Sequence, residues 1–412
     1  MSHSARIPLP KTEKTTPQAI NGRHNQAIPN VMELSLPDGV TLPAQPRFAW
    51  RGLNVDVVRH WYGVENLYRI VDILAAYGFN IMHLHLTDDQ GWRLEIPAYP
   101  ALTEISGRTQ AGGEITLKDK NGEVDKGYLS LTEYKELQGY AKGRGIIIVP
   151  EIDLPGHVHA ALHAIPELNP DGKALPPYHG TEVGHSRLLR NNPATKPFIK
   201  AVLDTVSENT IGDYVHVGGD EVPLLPADEF AELVNYAREV VTTHGKTPVL
   251  WQEGAVTVTS PETANVLIQY WEPRLDKTPM LEAAQHGAQF IYSPANHIYL
   301  DIKYAPDEKL GLTWGTSMGP FPVDQARNWD PASLIPEIPE SQITGVEGAL
   351  WAETFRSYED FLSMLFPRLA AVAEVAWLEP NPELEATFRH RAKAQADTWR
   401  EWGVPETAIN RL

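Results

Sequence analysis

The sequence predicts an α/β fold, a (β/α)8 TIM barrel that is irregular because loops replace some of its helices. Three observations support this prediction. Eight short apolar segments follow one another along the chain, and amphipathic segments separate many of them. Such alternation is typical of folds built on a parallel sheet. The chain of 412 residues is also long enough for a barrel of about 250 residues with insertions.

The predicted strands are short runs rich in β-branched and aromatic residues, bounded by turn-forming residues. They cover residues 52–58, 81–87, 146–152, 214–219, 248–252, 265–271, 289–292 and 344–351. Because helical patterns separate many of these runs, we expect each run to form one strand of a parallel barrel.

The predicted helices are segments in which apolar residues recur at helical spacing, as Leu67, Ile70 and Leu74 do in the first of them. Ser130 and Glu133 have the spacing of a capping box before the second. The helices cover residues 64–78, 131–143, 198–210, 226–243 and 357–377. The fifth and seventh strands are followed by no convincing helical pattern. We therefore expect loops there, and long loops at 98–130 and 302–342.

Three regions are predicted along the chain. Residues 1–46 are rich in Pro, Thr and Asn and are expected to form an irregular leader. Residues 47–380 are expected to form the barrel. Residues 381–412 contain an amphipathic pattern at 383–401, which predicts a C-terminal helix packed on the barrel.

Composition limits the partners. The net charge of −18 argues against nucleic acid or an anionic membrane as the main partner. The absence of cysteine excludes disulfides, thiolate metal sites and a cysteine nucleophile. We find no secretory signal pattern in residues 1–30 and no apolar stretch of membrane-spanning length. A cytoplasmic location is therefore expected, with secretion of a chain whose signal is absent here as the alternative. The sequence predicts no particular oligomeric state.

Carboxylates and aromatic residues follow nearly every predicted strand, at the end of a barrel where chemistry is found. These residues are Arg59, Asp88, Asp89, Asp153, His157, Asp220, Glu221, Trp251, Glu253, Trp271, Trp351 and Glu353. Burying several carboxylates at one end of a barrel costs free energy, so such a group is tolerated mainly where function requires it. Carboxylates bind hydroxyl groups and indoles stack on the apolar faces of sugars, so the pattern indicates sugar chemistry. Glu221 is the candidate general acid, and Gly218-Gly219 is expected to leave room for a sugar ring.

Seven segments in the same order strengthen this interpretation. They are RGLNVDVVRHW (51–61), HLHLTDDQGWRLEI (83–96), VPEIDLPGH (149–157), HVGGDE (216–221), LWQE (250–253), YLDIKY (299–304) and GVEGALWAE (345–353). Together they resemble family 20 of the glycoside hydrolases, the β-N-acetylhexosaminidases, over about residues 47–380. The resemblance implies an exo-acting retaining enzyme that removes terminal β-linked N-acetylglucosamine or N-acetylgalactosamine. It implies no cofactor and no metal, because the substrate's own acetamido group is the nucleophile.

The resemblance also implies roles for individual residues. Glu221 would be the general acid and then the base, and Asp220 would orient the acetamido group and stabilise the oxazolinium intermediate. Tyr299 would hydrogen-bond the acetamido oxygen. The remaining implied roles are enclosure of the acetyl group by Trp251, Trp271 and Trp351, binding of sugar hydroxyls by Arg59, Asp301 and Glu353, an aromatic platform for the next sugar at Trp314, and a polar network behind the two acids formed by Asp88, Asp153 and His157.

Position within the strands separates further residues. Arg51 opens the first strand and is expected to be structural, whereas Arg59 closes it and is expected to bind ligand. His83 and His85 alternate along one strand face, and satisfied interior histidines are favoured over a metal site. His216 lies just inside the fourth strand and is expected to support the site rather than to catalyse. Asp89 and Glu253 are left open between ligand contact and solvation.

Two alternatives of other classes remain open. His83 and His85 at a strand end would suit a metal-dependent amidohydrolase-type enzyme, but the later strands end in carboxylates and tryptophans. A non-catalytic sugar-binding barrel is the second alternative, against which the intact Asp220-Glu221 pair argues. The chain also departs from many family members, which carry an α+β domain before the barrel. The leader is too short for such a domain, which leaves the exposed flank of the barrel and the oligomeric state open.

Overall fold

The computed structural model describes residues 31–32, 36, 42–313 and 319–412. Eight parallel strands form a closed barrel in which each strand pairs with the next and the last pairs with the first. The strands are β1 (Trp50–Asp56), β2 (Ile81–His85), β3 (Ile147–Glu151), β4 (Tyr214–His216), β5 (Thr247–Trp251), β6 (Leu267–Tyr270), β7 (Gln289–Tyr292) and β8 (Ile343–Leu350). The predicted barrel is confirmed, and each predicted strand overlaps an observed one.

Helices cover the outside of the barrel. They are α1 (Val64–Ala76), α2 (Leu131–Gly143), α3 (Thr195–Asn209), α4 (Ala227–Thr243), α5 (Thr278–His286), α6 (Tyr358–Leu365), α7 (Arg368–Trp377), α8 (Pro382–Lys393) and α9 (Ala396–Glu401), besides several single turns. The predicted capping box begins α2, because the Glu133 amide donates to Ser130 Oγ and the Ser130 amide donates to Glu133 Oε2. None of the described helices combines the length and the apolar character needed to cross a bilayer.

Three helical predictions differ from the structure. The helix predicted at 357–377 is two helices, α6 and α7, because Pro367 lacks an amide hydrogen and keeps Phe366 extended. The helix predicted at 383–401 is also two, α8 and α9, and the side chain of Gln395 between them accepts a hydrogen bond from the Tyr77 hydroxyl. Helix α5 was not predicted. It ends at Gly287, whose left-handed backbone (φ 99°) is typical of a helix C-terminus.

The predicted irregularities are observed after β5 and β7. Strand β5 leads into two short 3-10 turns. Between β7 and β8 the described residues form short helices at Ala295–Ile298, Val323–Arg327 and Pro331–Leu334 and a 3-10 turn at Glu340–Gln342. Of the predicted leader, only residues 31–32, 36 and 42–46 are described. Val31 and Met32 are buried in the main core.

The barrel interior changes character along its axis, because alternate residues of each strand point inward. The layer at the amino ends of the strands is apolar and contains Trp50, Ile81, Val149, Tyr214, Val249, Leu267 and Ile291. The layer above it is polar and contains His83, Glu151, His216, Gln269 and Glu347, all of them fully buried. Polarity therefore increases towards the carboxyl ends of the strands.

Candidate active site

The carboxyl ends of the strands surround a cavity of about 490 Å³. Its lining includes most of the residues that the sequence singled out. They are Arg59, Asp88, Asp153, His157, Asp220, Glu221, Trp271, Tyr299, Trp351 and Glu353. The structure therefore brings together, from seven strand ends and their loops, side chains that are far apart in the sequence.

The turn after β4 places the two candidate catalytic acids. The Gly218 amide donates to His216 Nδ1 (3.0 Å) and the Gly219 amide lies 3.3 Å from Asp153 Oδ1. A Cβ at Gly218 would lie only 1.8 Å from Asp153 Oδ1, and its φ of 71° is in the left-handed region. The room that Gly218 provides is thus filled by Asp153 and not by a sugar, which corrects the expectation for this glycine.

Two residues of the site, His157 and Glu221, have left-handed backbones with φ of 51° and 48°. They are the non-glycine residues with positive φ in the described part of the chain. Such conformations cost energy and concentrate where function requires them. Glu253 supports this turn, because its carboxylate accepts the Glu221 amide (3.2 Å) and the Trp271 indole N–H (3.0 Å). Glu253, left open above, therefore links the acid to an aromatic wall.

His157 lies between the acids and Asp88. Its Nδ1 donates to Asp88 Oδ1 (3.1 Å), and its Nε2 lies 3.4 Å from Glu221 Oε2 and 3.6 Å from Asp220 Oδ2. Burial would lower the pKa of His157, but Asp88, Asp153 and Asp220 outweigh it and raise that pKa well above its usual range. The three carboxyl groups therefore favour the imidazolium form of the ring, which faces both acids.

Asp220 and Asp153 form a close carboxyl pair. Burial raises the pKa of Asp220 well above its usual range, and the Asp153 carboxylate adds to the effect. Burial likewise raises the pKa of Asp153, while a hydrogen bond to Asp220 opposes the rise. Asp220 Oδ1 is buried and has no hydrogen-bond partner among the described residues. A buried acceptor without a partner is typical of a group that awaits a ligand donor.

Arg59 is buried among acids at the end of β1. Its guanidinium lies 2.7 Å from Asp88 Oδ2, 3.1 Å from Asp56 Oδ2 and 4.0 Å from Glu353 Oε1. Burial would lower the pKa of Arg59, but these carboxylates raise it well above its usual range. The arginine is thus a fixed cation. Glu353 lies close enough to Arg59 for both side chains to contact the same ligand.

Aromatic rings form one wall of the cavity. Trp271 and Tyr299 stack with centroids 6.1 Å apart and planes 9° apart, and Trp351 meets Tyr299 edge-on at 6.0 Å. Trp251 does not line the cavity: it is 1% exposed, lies against Trp351 at 5.9 Å, and donates its indole N–H to Glu151 (2.6 Å). The sequence places Trp251 at a strand end but does not show that its ring points down the barrel axis.

The other predicted residues fall in three places. Asp301 is 2% exposed and does not line the cavity; its Oδ1 lies 3.4 Å from the Trp351 amide, and its Oδ2 is buried without a partner among the described residues. His216 lies in the polar layer below, and burial lowers its pKa to about 3, so it is neutral. Trp314 lies outside the described residues.

The cavity also contains residues for which the sequence predicted no contact with a ligand. They are His85, Thr181, Glu182, Val183, Glu272, Arg274, Leu312 and Thr313. The sequence pattern could have indicated only some of these residues. Glu272 directly follows a predicted strand, whereas residues 181–183 lie far along the loop after β3. That loop is anchored by Asp89, which accepts hydrogen bonds from Ser186 Oγ (2.5 Å) and the His159 amide (3.0 Å). Asp89, left open above, is therefore an internal anchor.

Three groups of side chains have the spacing of possible metal ligands among the described residues. They are His83 with Glu151 and His216, Asp88 with Asp89 and His157, and Asp153 with His157 and Asp220. The two histidines that suggested a metal enzyme already have partners. His83 Nδ1 donates to Glu347 (2.8 Å), and His85 donates to Glu151 (2.5 Å) and Asp88 (2.8 Å). The interior reading of these histidines fits the geometry.

Comparison with known proteins identifies similar chains. The family model of the catalytic domain of glycosyl hydrolase family 20 matches residues 48–230 and 225–380. The chain is 43% identical to a beta-N-acetylhexosaminidase of Cellulomonas fimi over 375 residues, which are 90% of this chain and 72% of that protein. It is 31% identical to a beta-hexosaminidase of Vibrio furnissii, of which the match covers 61%, together with 84% of this chain.

Solved structures agree with the sequence comparison. The beta-N-acetylhexosaminidase from Streptomyces coelicolor A3(2) superposes with a TM-score of 0.80 at 38% identity, over 87% of this chain and 70% of that one. The N-acetyl-beta-hexosaminidase of Streptomyces plicatus, in complex with Thio-NAglucal, gives the same TM-score and coverage at 39% identity. The barrel of the present chain is therefore similar to theirs over nearly its whole described length.

Proposed function

The chain belongs to glycosyl hydrolase family 20 and is a β-N-acetylhexosaminidase, and we propose that Asp220, Glu221 and Tyr299 carry out its substrate-assisted catalysis. The observation that carries the proposal is the arrangement of the two acids. Asp220 presents a buried carboxylate oxygen without a partner among the described residues, next to a more exposed Glu221. Such a pair can bind an acetamido N–H with one acid and protonate a leaving group with the other.

In the first step the Glu221 carboxyl donates its proton to the glycosidic oxygen, and the acetamido carbonyl oxygen attacks C1. The C1–O bond breaks, the alcohol leaves, and a cyclic oxazolinium forms. Asp220 accepts the acetamido N–H and stabilises the positive charge. In the second step the Glu221 carboxylate takes a proton from water, which attacks C1 and reopens the ring. Two inversions at C1 retain the β configuration.

The aromatic wall accounts for recognition of the acetyl group. Trp271, Tyr299 and Trp351 form an apolar surface beside Asp220, and Trp251 would close it from below. The Tyr299 hydroxyl would donate to the acetamido oxygen. This oxygen gains nucleophilic strength when the opposite end of the amide is held by Asp220, so the wall and the acid act on one group.

The charged end of the cavity supports exo action. Arg59 and Glu353 would bind the outer hydroxyls of the terminal sugar, with Asp301 behind the Trp351 backbone. These groups would close the cavity and would leave no path for a preceding sugar. Trp314 as the platform for the next sugar stays a prediction. The carbohydrate partner would thus enter by its non-reducing terminal N-acetylhexosamine.

Family membership sets aside the metal-dependent amidohydrolase and the non-catalytic sugar-binding barrel as alternatives. Several other expectations stay predictions: a cytoplasmic location, or secretion of a longer chain, and the absence of nucleic acid or membrane partners. The choice between the gluco and galacto substrate also stays open, because only the orientation of one hydroxyl differs.

The proposal is tested with p-nitrophenyl β-glycosides that differ at C2. We expect hydrolysis of the N-acetylglucosaminide and negligible hydrolysis of the glucoside, because the glucoside lacks the nucleophile. The thiazoline analogue of the intermediate should inhibit more strongly than N-acetylglucosamine, and Asp220→Asn should weaken thiazoline binding more than product binding. Similar turnover of both glycosides, or a 2-fluoro sugar trapped on a carboxylate, would show that a protein nucleophile acts instead.

A further inference from the structure

A row of hydrogen-bonded, buried side chains continues from the catalytic acids into the barrel. His157 Nδ1 donates to Asp88 Oδ1 (3.1 Å), and His85 Nε2 donates to Asp88 Oδ2 (2.8 Å). His85 Nδ1 in turn donates to Glu151 Oε2 (2.5 Å). Three successive hydrogen bonds thus join Glu151 to His157, whose Nε2 lies 3.4 Å from Glu221 Oε2 and 3.6 Å from Asp220 Oδ2. Glu151 itself lies one layer below the cavity and does not line it.

Glu151 also contacts Trp251, the tryptophan that lies beneath the aromatic wall of the cavity. Its Oε1 accepts the indole N–H of Trp251 (2.6 Å), while its Oε2 accepts His85 and lies 3.1 Å from His83 Nε2. The side chain is completely buried. One carboxylate therefore fixes both a histidine that supports Asp88 and the tryptophan beneath Trp351.

Charge explains why a carboxylate is needed here. Burial would lower the pKa of His85, but Glu151 and Asp88 outweigh it and raise that pKa to about 10. Burial would also lower the pKa of His83, which Glu151 and Glu347 raise to about 9. Glu151 and Asp88 contact His85, His83 shares its Glu151 oxygen, and Arg59 shares its Asp88 oxygen. His216 and the edge-on ring of Trp351 lie beside it.

We propose that Glu151 is a positioning residue for the hydrolysis: it holds His85 and, through His85, the Asp88–His157 pair in the arrangement that Asp220 and Glu221 require. The proposal rests on the proposed function of these two acids. A glutamine at 151 would offer one acceptor oxygen and one NH2 group. It could accept from Trp251 and donate to Nδ1 of a neutral His85, but it could not accept from a protonated His85, so the cation next to Asp88 would be lost.

Glu347 provides a matched control. It is completely buried in the same polar layer and also accepts three donors: Trp50 Nε1 (2.7 Å), His83 Nδ1 (2.8 Å) and Gln269 Nε2 (2.8 Å). It shares His83 with Glu151, but its other partners lie away from the catalytic acids. Glu347→Gln should therefore perturb the layer as much as Glu151→Gln does, without loosening His85 or Trp251.

The experiment compares kcat, KM and their pH dependence for wild type, Glu151→Gln and Glu347→Gln with p-nitrophenyl N-acetylglucosaminide. We expect Glu151→Gln to lower kcat about 10- to 100-fold, as small misplacements of catalytic groups do. Loss of the Glu151 charge lowers the pKa of His85, so His85 loses its proton at a lower pH. The alkaline limb of the kcat profile should therefore move to lower pH. Glu347→Gln should keep the wild-type limb and a kcat near that of wild type.

Equal losses in both variants with unchanged pH limbs would overturn the proposal, as would a Glu151→Gln enzyme with wild-type kcat. If circular dichroism shows Glu151→Gln to be unfolded, His85→Asn decides. Its amide can keep the bond to Glu151 but is too short to reach Asp88, so kcat should fall while KM stays near wild type and the circular dichroism spectrum stays that of a folded protein. Wild-type kcat in His85→Asn would overturn the proposal. Failure of the proposed function is separate, because it would appear in the wild type as similar turnover of the glucoside and the N-acetylglucosaminide.

Discussion

The two ends of β1 each bury an arginine, and the two arginines have different partners. Arg51 opens the strand, and its guanidinium donates to the backbone oxygens of Gly78 (2.8 Å) and Phe48 (2.9 Å). Arg59 follows the strand and contacts the carboxylates of Asp56 and Asp88. Burial lowers the pKa of Arg51 to about 10, whereas the acids around Arg59 raise its pKa despite burial.

The difference shows what each end of the barrel is for. Backbone carbonyl groups carry no net charge and are held in place by the chain. Through the Gly78 oxygen, Arg51 therefore ties the start of β1 to the loop after α1. Its guanidinium also lies over the Trp377 ring, 5.0 Å from the ring centroid. Carboxylates around Arg59 can exchange contacts with hydroxyl groups of a ligand. We therefore expect changes at one end to affect rate, and changes at the other to affect stability.

The largest effect should come from the acid at the functional end. Glu221→Gln should lower kcat on chitobiose by about 10²–10⁴-fold, the usual contribution of a general acid. The loss should be smaller on p-nitrophenyl N-acetylglucosaminide, whose leaving group needs less protonation. Melting temperature should stay at the wild-type value, because the Glu221 side chain is 27% exposed. Equal losses on the two substrates would count against Glu221 as the acid.

Arg59→Lys should have the next largest effect. The lysine keeps the charge but cannot contact Asp56, Asp88 and a sugar hydroxyl at the same time. We expect kcat/KM to fall by roughly 10- to 100-fold, which corresponds to loss of one charged hydrogen bond of about 1.5–3 kcal/mol. Steady-state kinetics on the N-acetylglucosaminide provides the measurement. An unchanged kcat/KM would place Arg59 with the structural arginines and remove the contrast.

Arg51→Met should have the smallest effect on the reaction. The methionine fills part of the volume but leaves the Phe48 oxygen without its donor and removes one of the two donors to the Gly78 oxygen, which lowers the free energy of unfolding by about 1–3 kcal/mol. Thermal and urea denaturation measure this change, while kcat and KM should equal those of wild type. A kinetic defect without loss of stability would contradict the assignment of this barrel end.

The strand ends were predictable because a strand's alternation and the barrel's polarity follow from local sequence. The sequence thereby identified the acids after β2, β3 and β4, and it separated Arg51 from Arg59. The sequence could not show how deep in the barrel a side chain at a strand end lies. Trp251 and Trp271 both close a strand or follow one, yet the first points down the axis and the second forms the cavity wall.

Loop contributions were predictable only in part. Residues 181–183 reach the cavity through a loop whose path depends on distant anchors such as Asp89 and Ser186. No local pattern records such a tertiary contact. The same holds for Glu151, which the sequence presents as one residue of a matched segment. Its importance follows from the donors around it, which come from two other strands, β2 and β5.

The left-handed backbones at His157 and Glu221 have a consequence for engineering this protein. Glycine is the residue that relaxes such a backbone at no steric cost, but it would remove the imidazole or the acid. Directed evolution for heat tolerance therefore cannot use stabilising substitutions at these two positions without loss of activity. Gains in heat tolerance have to come from the flanking helices and surface loops, where the backbone is relaxed and the chemistry is absent.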